Sequence, residues 1–333
     1  MSKDSVTVSI IMVSYNEADY IRTAIDSCLG QTLQDIELII GDDGSDDGSI
    51  EIIKEYADKD SRVSYFVMDR PERFEYGVIG PLRVSDILKK GLKRAQGKYI
   101  SFISADDYYV DMDKFHRETM ILEKNPKIVS CFSNYKDVWD DGKEEVKSVT
   151  SNNKLYRNNY LFWGSGYCHL SAYVTRSFVF ATDKLLERLC DDSGLQYLIL
   201  RNGKCYCDDE ITFAYRQRSE SVMHKHDELA LAILEIMLFQ DIRNRYGTSP
   251  GTGARFFRPL RYCMQNRKDM ENEKYARYFY DSQKYGNDMI GLIRDFDKPD
   301  IFRKCGWDLF YCYVAACRII YRVILKILRL NPE

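Results

Sequence analysis

Two pairs of adjacent aspartates carry the first chemical signal in this chain. Asp42 and Asp43 sit in "IELIIGDDGSDDGS", and Asp106 and Asp107 in "KYISFISADDYYV". Each pair follows an apolar run that reads as a strand. Like charges side by side at a strand end repel and add nothing to packing. They become useful when something positive joins them: a divalent cation, or donors such as a nucleobase imide or ribose hydroxyls. Hard oxygen ligands in an incomplete cage suit Mg²⁺ or Mn²⁺, with phosphate and water filling the other positions. The competing reading is structural. Asp-Asp-Gly after a strand is a common turn and helix-cap sequence, and "DDGSDDGS" alone fits that. "SADDYY" fits it less well, because no glycine follows.

The elements that must hold these carboxylates alternate along the chain. "VTVSIIMVSY" (6–15) reads as a buried strand, rich in β-branched residues. In "NEADYIRTAIDSCLGQ", Ile21, Ala24, Ile25 and Cys28 share one helical face and Gly30 reads as the stop. A second strand, "DIELII", runs into the first aspartate pair, and "SIEIIKEYADKD" is a helix with Ser49 as its cap. "RVSYFVMD" is a third strand, "GPLRVSDILKKGLKRAQG" a third helix and "KYISFIS" a fourth strand. This alternation predicts an α/β fold, a Rossmann-like and mostly parallel sheet with flanking helices. Ligands of such sheets bind at the carboxyl ends of the strands, which puts both aspartate pairs on one edge. Further strands are expected over 128–139 and 166–176, a helix over 191–203 and a strand over 204–216. After about residue 226 the pattern turns helical, with one long helix over 226–247 and helical spacing in 252–268 and 271–295.

Composition limits the function classes. With 333 residues, 45% hydrophobic and 30% charged, the chain can bury a sizeable core. A net charge of -3 argues against nucleic acid as a partner. The ten cysteines are scattered, with no C-x-x-C pair, so neither a structural zinc site nor a disulfide scaffold is expected. Cys205 and Cys207 fall on one face of a strand, where buried thiols are the simple reading. That usage fits a reducing cytoplasm, and "MSKDSVTVSIIMVSYNE" does not read as a signal peptide. The stretch 305–330 is different. Arg318, Arg322, Lys326 and Arg329 form a narrow basic stripe on an otherwise apolar helix. Its apolar run is too short to span a bilayer, and the pattern predicts a helix lying in the plane of an anionic membrane surface. A helix packed on protein is the alternative.

Taken together, "VSIIMVSYNEADYIRTAIDSCLGQTLQDIELIIGDDGSDDGS" and "GLKRAQGKYISFISADD" closely resemble the inverting family-2 glycosyltransferases of the GT-A fold, over roughly residues 6 to 225. The dinucleotide G-x-G-x-x-G fingerprint is absent after the first strand. The resemblance implies that Tyr15 flanks the nucleobase, that Glu17 contacts the nucleotide and that Asp43 accepts hydrogen bonds from the base, typically uracil. Arg83 would contact base or phosphate. Asp106 would bind ribose or metal, and Asp107 would be the main ligand of Mn²⁺ or Mg²⁺, bridging to the diphosphate. The family's D-x-D element is altered here, with Ser104 or Ala105 where its first aspartate would stand. His224 in "SVMHKH" falls where a loop histidine can reach the metal, a solvated loop residue being the other reading.

Sugar transfer passes through an oxocarbenium-like state, and the attacking hydroxyl must lose its proton to a carboxylate across the sugar from the metal. The family places this base at the start of a helix. "RLCDDSGLQYLILRNG" matches, with Asp192 as the expected base and Asp191 as the alternative; a plain helix cap would also explain the pair. Trp163 is expected to pack rather than to stack on an acceptor, and His169 falls on the acceptor side. The implied organisation is a GT-A catalytic domain over 1–226, a helical extension over 227–300 and the basic amphipathic helix over 301–333. The implied activity moves a sugar from a UDP-linked donor to a saccharide hydroxyl. The acceptor would be lipid-linked, at the inner face of the cell membrane, in surface polysaccharide or oligosaccharide synthesis. Two rivals are a nucleotidyltransferase that makes the sugar nucleotide and a degenerate family member serving as a scaffold.

Overall fold

The structure is a computed structural model. It describes residues 6–69, 80–148, 155–156, 168–181, 192–218 and 228–246, with isolated positions between 259 and 269. The chain divides into two compact units. One comprises Met1–Glu75, Ile79–Leu161 and Gly166–His224; the other comprises Tyr76–Val78, Phe162–Ser165 and Lys225–Glu333.

The first unit is built on one sheet. Its strands are β1 (Val8–Ser14), β2 (Ile36–Asp42), β3 (Val63–Val67), β4 (Tyr99–Ser104), β5 (Tyr108–Tyr109), β6 (Ile128–Trp139), β7 (Glu144–Lys147), β8 (Leu155–Tyr156), β9 (Val174–Arg176) and β10 (Lys204–Gln217). They lie in the order β3-β2-β1-β4-β9-β6-β10-β5, with β7 beside β6 and β8 beside β10. β1 pairs in parallel with both β2 and β4, and β2 with β3. β9 enters antiparallel between β4 and β6, while β6 and β10 run parallel. The helices are α1 (Ile21–Leu29), α2 (Ser49–Lys59), α3 (Gly80–Arg94), α4 (Lys114–Lys124), α5 (Phe178–Ala181) and α6 (Asp192–Asn202).

The local chemistry explains these elements. Ile10, Ile11 and Met12 of β1 and Leu38, Ile39 and Ile40 of β2 are all buried. A parallel strand covered on both faces needs such an unbroken apolar run. On α1 the face Ile21, Ala24, Ile25 and Cys28 is buried, and Gly30 ends the helix. At Gly41 a Cβ would meet Ile87 Cγ2 of α3 at 2.3 Å and Phe66 Cζ of β3 at 2.7 Å. That close approach lets α3 lie flat on the sheet. Cys205 and Cys207 are both buried on β10, as thiols.

Two local expectations need correction. Residues 166–176 do not form one strand. His169 accepts from the Ser171 backbone N–H and opens a single 3₁₀ turn over Leu170–Ala172, leaving only Val174–Arg176 for β9. Ser49 does not cap α2 either. It is the first helical residue, Gly48 stands before it at φ 100°, and Asp47 Oδ1 accepts from the Ser49 N–H at 2.9 Å. The short pairings β5, β7 and β8 carry no periodic signal in the sequence.

In the second unit, α7 (Glu228–Tyr246) is the long helix expected from the spacing. Leu229, Ile233, Met237 and Ile242 are among its buried residues. Among the described residues no helix is long and apolar enough to cross a membrane. The basic stripe of 305–330 lies outside the described residues.

Candidate active site

The strand register brings the two aspartate pairs to one edge. Ser14 at the end of β1 pairs with Asp42, and Val13 pairs with Ser104. The chain then turns, and each turn uses its aspartates differently. Asp42 Oδ1 accepts from the Ser45 N–H at 2.8 Å and Oδ2 from the Ser45 hydroxyl at 2.7 Å. Asp42 is therefore turn chemistry. Asp43 is buried and takes the Nε–H of Arg83 from α3, a bond reinforced by Arg83 Nη1 donating to the Asp69 carbonyl at 3.0 Å. Burial raises the Asp43 carboxyl above its ordinary range, and Arg83 opposes that rise.

The loop after β1 is stitched to the loop after β2. Asn16 adopts φ 53°. Its backbone N–H donates to Ser45 Oγ at 2.8 Å, and its side chain exchanges two hydrogen bonds of 3.0 Å with Asp46. The Glu17 N–H donates to Ser49 Oγ at 2.8 Å, and the Ala18 N–H to Asp47 Oδ2 at 2.9 Å. The "SYNE" and "DDGSDDGS" segments are one construction. It holds half-buried Tyr15 and buried Glu17 at the carboxyl edge of β1.

The second aspartate pair meets residues that the sequence did not single out. Arg216 lies at the end of β10, and Arg218 is the first residue beyond it. Arg218 forks onto Glu17, with Nη1 to Oε2 at 2.8 Å and Nη2 to Oε1 at 2.7 Å, and its Nη2 lies 3.1 Å from Asp106 Oδ2. Its guanidinium lies 4.7 Å from the Tyr20 ring centroid. The Arg216 backbone N–H donates to Asp107 Oδ1 at 3.0 Å, and its guanidinium sits over Tyr20 and Tyr108 at 5.0 and 4.8 Å. Asp107 is 1% exposed, yet among the described residues its Oδ2 has no hydrogen-bond partner. The Nε–H groups of Arg216 and Arg218 are likewise buried, with no partner among the described residues. A buried acceptor and two buried donors left open in one place are costly unless a ligand completes them.

The electrostatics follow from this crowding. Burial, then the neighbouring Asp106, raise the Glu17 carboxyl to about 7. Burial pushes Asp106 up against the pull of Arg218. Burial and the Asp106 charge hold Asp107 well above the carboxylate range. Next to them, burial and the charges of Asp107, Asp106 and Asp192 push the Tyr215 hydroxyl up to about 12. Asp192, the first residue of α6, is thus electrically coupled to the neighbourhood of the β4 aspartates. The Tyr215 ring lies tilted against His169 with centroids 4.6 Å apart, and Tyr135, stacked on Phe213, completes the aromatic cluster.

The structure therefore brings together Glu17, Asp106 and Asp107, and sets the Asp43–Arg83 pair at the end of the adjoining β2. Asp191, His224 and Trp163 lie outside the described residues. Among the described residues no group of three or more His, Cys, Asp or Glu side chains converges to hold a metal ion. The arginines were findable only by pattern. In "FAYRQRSES" the alternation of a strand puts positions 216 and 218 on one face. Glu17, the partner of Arg218, lies 201 residues away in sequence, and Asp107, the partner of the Arg216 backbone, lies 109 away.

Comparison with known proteins agrees with this architecture. An uncharacterized glycosyltransferase of Haemophilus influenzae is 38% identical over 148 residues, which is 44% of this chain and 54% of that protein. The uncharacterized glycosyltransferase EpsJ of Bacillus subtilis is 41% identical over 125 residues, 37% of this chain and 33% of that protein. The chain thus spans about half or less of these relatives. Among solved structures, S. aureus TarS 1–349 in complex with UDP-GlcNAc superposes with a TM-score of 0.60 at 14% identity, covering 83% of this chain and 80% of that one. The mannosyltransferase PcManGT from Pyrobaculum calidifontis, in complex with GDP-Man and Mn²⁺, gives 0.50 at 13% identity, over 94% and 86%. These likenesses carry the fold alone, which is GT-A. The family model for glycosyl transferase family 2 matches residues 9–182, and the chain belongs to that family of glycosyltransferases.

Proposed function

We propose that the chain moves a sugar from a nucleoside diphosphate sugar, UDP-linked, to a saccharide hydroxyl with inversion at the anomeric carbon. One observation carries the reading. Buried Asp107 keeps an open carboxylate oxygen beside Asp106, with two arginines in reach, at the carboxyl edge of β4. This is part of a cation site next to donors suited to phosphate oxygens. The donor class is supported by the relatives of like fold, whose complexes hold UDP-GlcNAc or GDP-Man.

The residues present fit a hard divalent ion held largely by its substrate. Asp107, with Asp106 beside it, supplies carboxylate oxygen and leaves positions for diphosphate and water, as Mg²⁺ and Mn²⁺ accept. His224 is the further ligand proposed. A divalent ion held there would supply neutralisation of the charge on the departing diphosphate. The chain's own residues do the rest. Asp43, held by Arg83, accepts from the base, and Tyr15 covers its face. Glu17 positions the nucleotide through the stitched loops. Asp192 takes the proton of the acceptor hydroxyl at the opposite face of the sugar, with Asp191 as the alternative base. The acceptor is proposed to be lipid-linked, reached from the inner membrane face through the basic stripe of 305–330, in building a surface polysaccharide.

Calorimetry of UDP binding with and without Mn²⁺ tests the donor site. The intact chain is expected to need the metal, and Asp107→Ala to lose that dependence; UDP bound in neither case would sink the reading. Asp192→Asn is expected to lower kcat by roughly 10²–10⁴-fold, the range of general-base catalysis, with UDP affinity unchanged.

A further inference from the structure

The three carboxylates at this edge are not left waiting for a metal. Arg218 already occupies the space between two of them. It grips Glu17 through both terminal nitrogens at 2.8 and 2.7 Å and reaches Asp106 at 3.1 Å. Its side chain is 16% exposed, and the Tyr20 ring backs its guanidinium. Buried bidentate arginine–carboxylate pairs are among the strongest ionic contacts, because the planar fork matches both oxygens.

Charge arithmetic gives this contact a consequence. Glu17, Asp106 and Asp107, if all ionised, carry three negative charges against the two positive charges of Arg216 and Arg218. A divalent ion entering alone would only invert the sign of the cluster's net charge, and at Asp106 it would lie against the Arg218 guanidinium, a like charge at short range in a poorly solvated site. The same ion arriving with a diphosphate brings its own anion, and the freed guanidinium gains phosphate oxygens as partners. Arg218 directly follows β10 and can turn from Glu17 toward such oxygens by side-chain rotation.

We propose that Arg218 is a built-in counter-cation that keeps divalent metal off Asp106 until the donor diphosphate arrives, so that metal and donor bind as one unit. The proposal rests on the reading of Asp106 and Asp107 as the metal–diphosphate edge. It assigns Arg218 a positioning role in the free protein and a diphosphate contact in the loaded one.

The test is a Mn²⁺ titration of the full chain followed by electron paramagnetic resonance, which counts bound ion without any turnover. The wild type is expected to bind Mn²⁺ weakly alone and at least ~10-fold more tightly with UDP. Arg218→Gln is expected to bind Mn²⁺ alone at least ~10-fold more tightly than the wild type and to lose most of the UDP enhancement. Arg218→Lys keeps a cation there and is expected to stay close to the wild type. Arg216→Gln removes a neighbouring charge that grips no carboxylate side chain among the described residues, and controls for the general field. An Arg216→Gln gain equal to that of Arg218→Gln would overturn the specific role. So would UDP-dependent Mn²⁺ binding that Arg218→Gln leaves unchanged, although the metal–diphosphate reading would then stand. If no variant binds Mn²⁺ with or without UDP, both fall. The wild-type titration alone also decides: equal Mn²⁺ affinity with and without UDP refutes the coupling even if every variant misfolds.

Discussion

His169 shows how a residue's setting fixes its protonation. Its Nδ1 accepts from the Ser171 N–H at 3.3 Å, so the ring proton sits on Nε2. Tyr135, Phe213 and Tyr215 crowd the ring. Burial lowers its pKa from 6.5 to about 4. At His169 the folded and unfolded chains then bind different numbers of protons only around and between these values. Above the window the contribution to stability is complete. As pH falls through it, the unfolded chain takes the proton first and the fold loses stability, by on the order of 3 kcal/mol over the whole window. Tyr135 and Tyr215 titrate far above this range and do not interfere. Urea unfolding at pH 7.5 and 5 should show the wild type losing stability on acidification relative to His169→Gln. Parallel losses in both proteins would refute the assignment.

At the scale of the element, α4 holds a pair that hydrophobic periodicity does not anticipate. Lys114 and Glu118 are both 0% exposed, one turn apart, with Nζ to Oε1 at 2.7 Å. Lys114 also donates to the Ala172 carbonyl at 2.8 Å and to Ser133 Oγ at 3.4 Å, tying the helix to β6 and to the turn after His169. Breaking a buried pair from one side is far worse than replacing it whole. Lys114→Met is expected to cost about 3–5 kcal/mol, and Lys114→Met with Glu118→Leu far less. A double-mutant cycle in urea measures this, and additive losses would contradict it. The elements themselves were legible wherever one force dominated. β1, β2 and β4 declare themselves by β-branched runs, and α1 by its single apolar face. The stretch 166–176 misleads because apolar content alone does not reveal a histidine that caps a turn. In the site, the aspartates and Glu17 were visible as motifs. Arg216 and Arg218 were not, because only the closing of β10 beside β5 and β6 carries them to partners far away in the sequence.

For the whole molecule, the basic stripe formed by Arg318, Arg322, Lys326 and Arg329 extends the proposal to a membrane surface. Each cation near an anionic bilayer adds about 1 kcal/mol, falling off within a Debye length. The intact chain is expected to float with vesicles rich in anionic lipid at low salt. Exchanging the four residues for glutamine should weaken that binding by a hundredfold or more, and raising the salt should reproduce part of the loss. Equal flotation with neutral vesicles would remove the stripe from the account.

The stitching of "SYNE" to "DDGSDDGS" bears on how such an enzyme can change over generations. Asn16, Glu17 and Ala18 are bonded to Ser45, Asp46, Asp47 and Ser49 in a reciprocal set. Neither segment can be replaced alone without stranding donors and acceptors of the other. A change in one segment is therefore expected to need a matching change in the other. Swapping nucleotide preference between relatives should therefore succeed when both segments travel together and fail when either is grafted by itself.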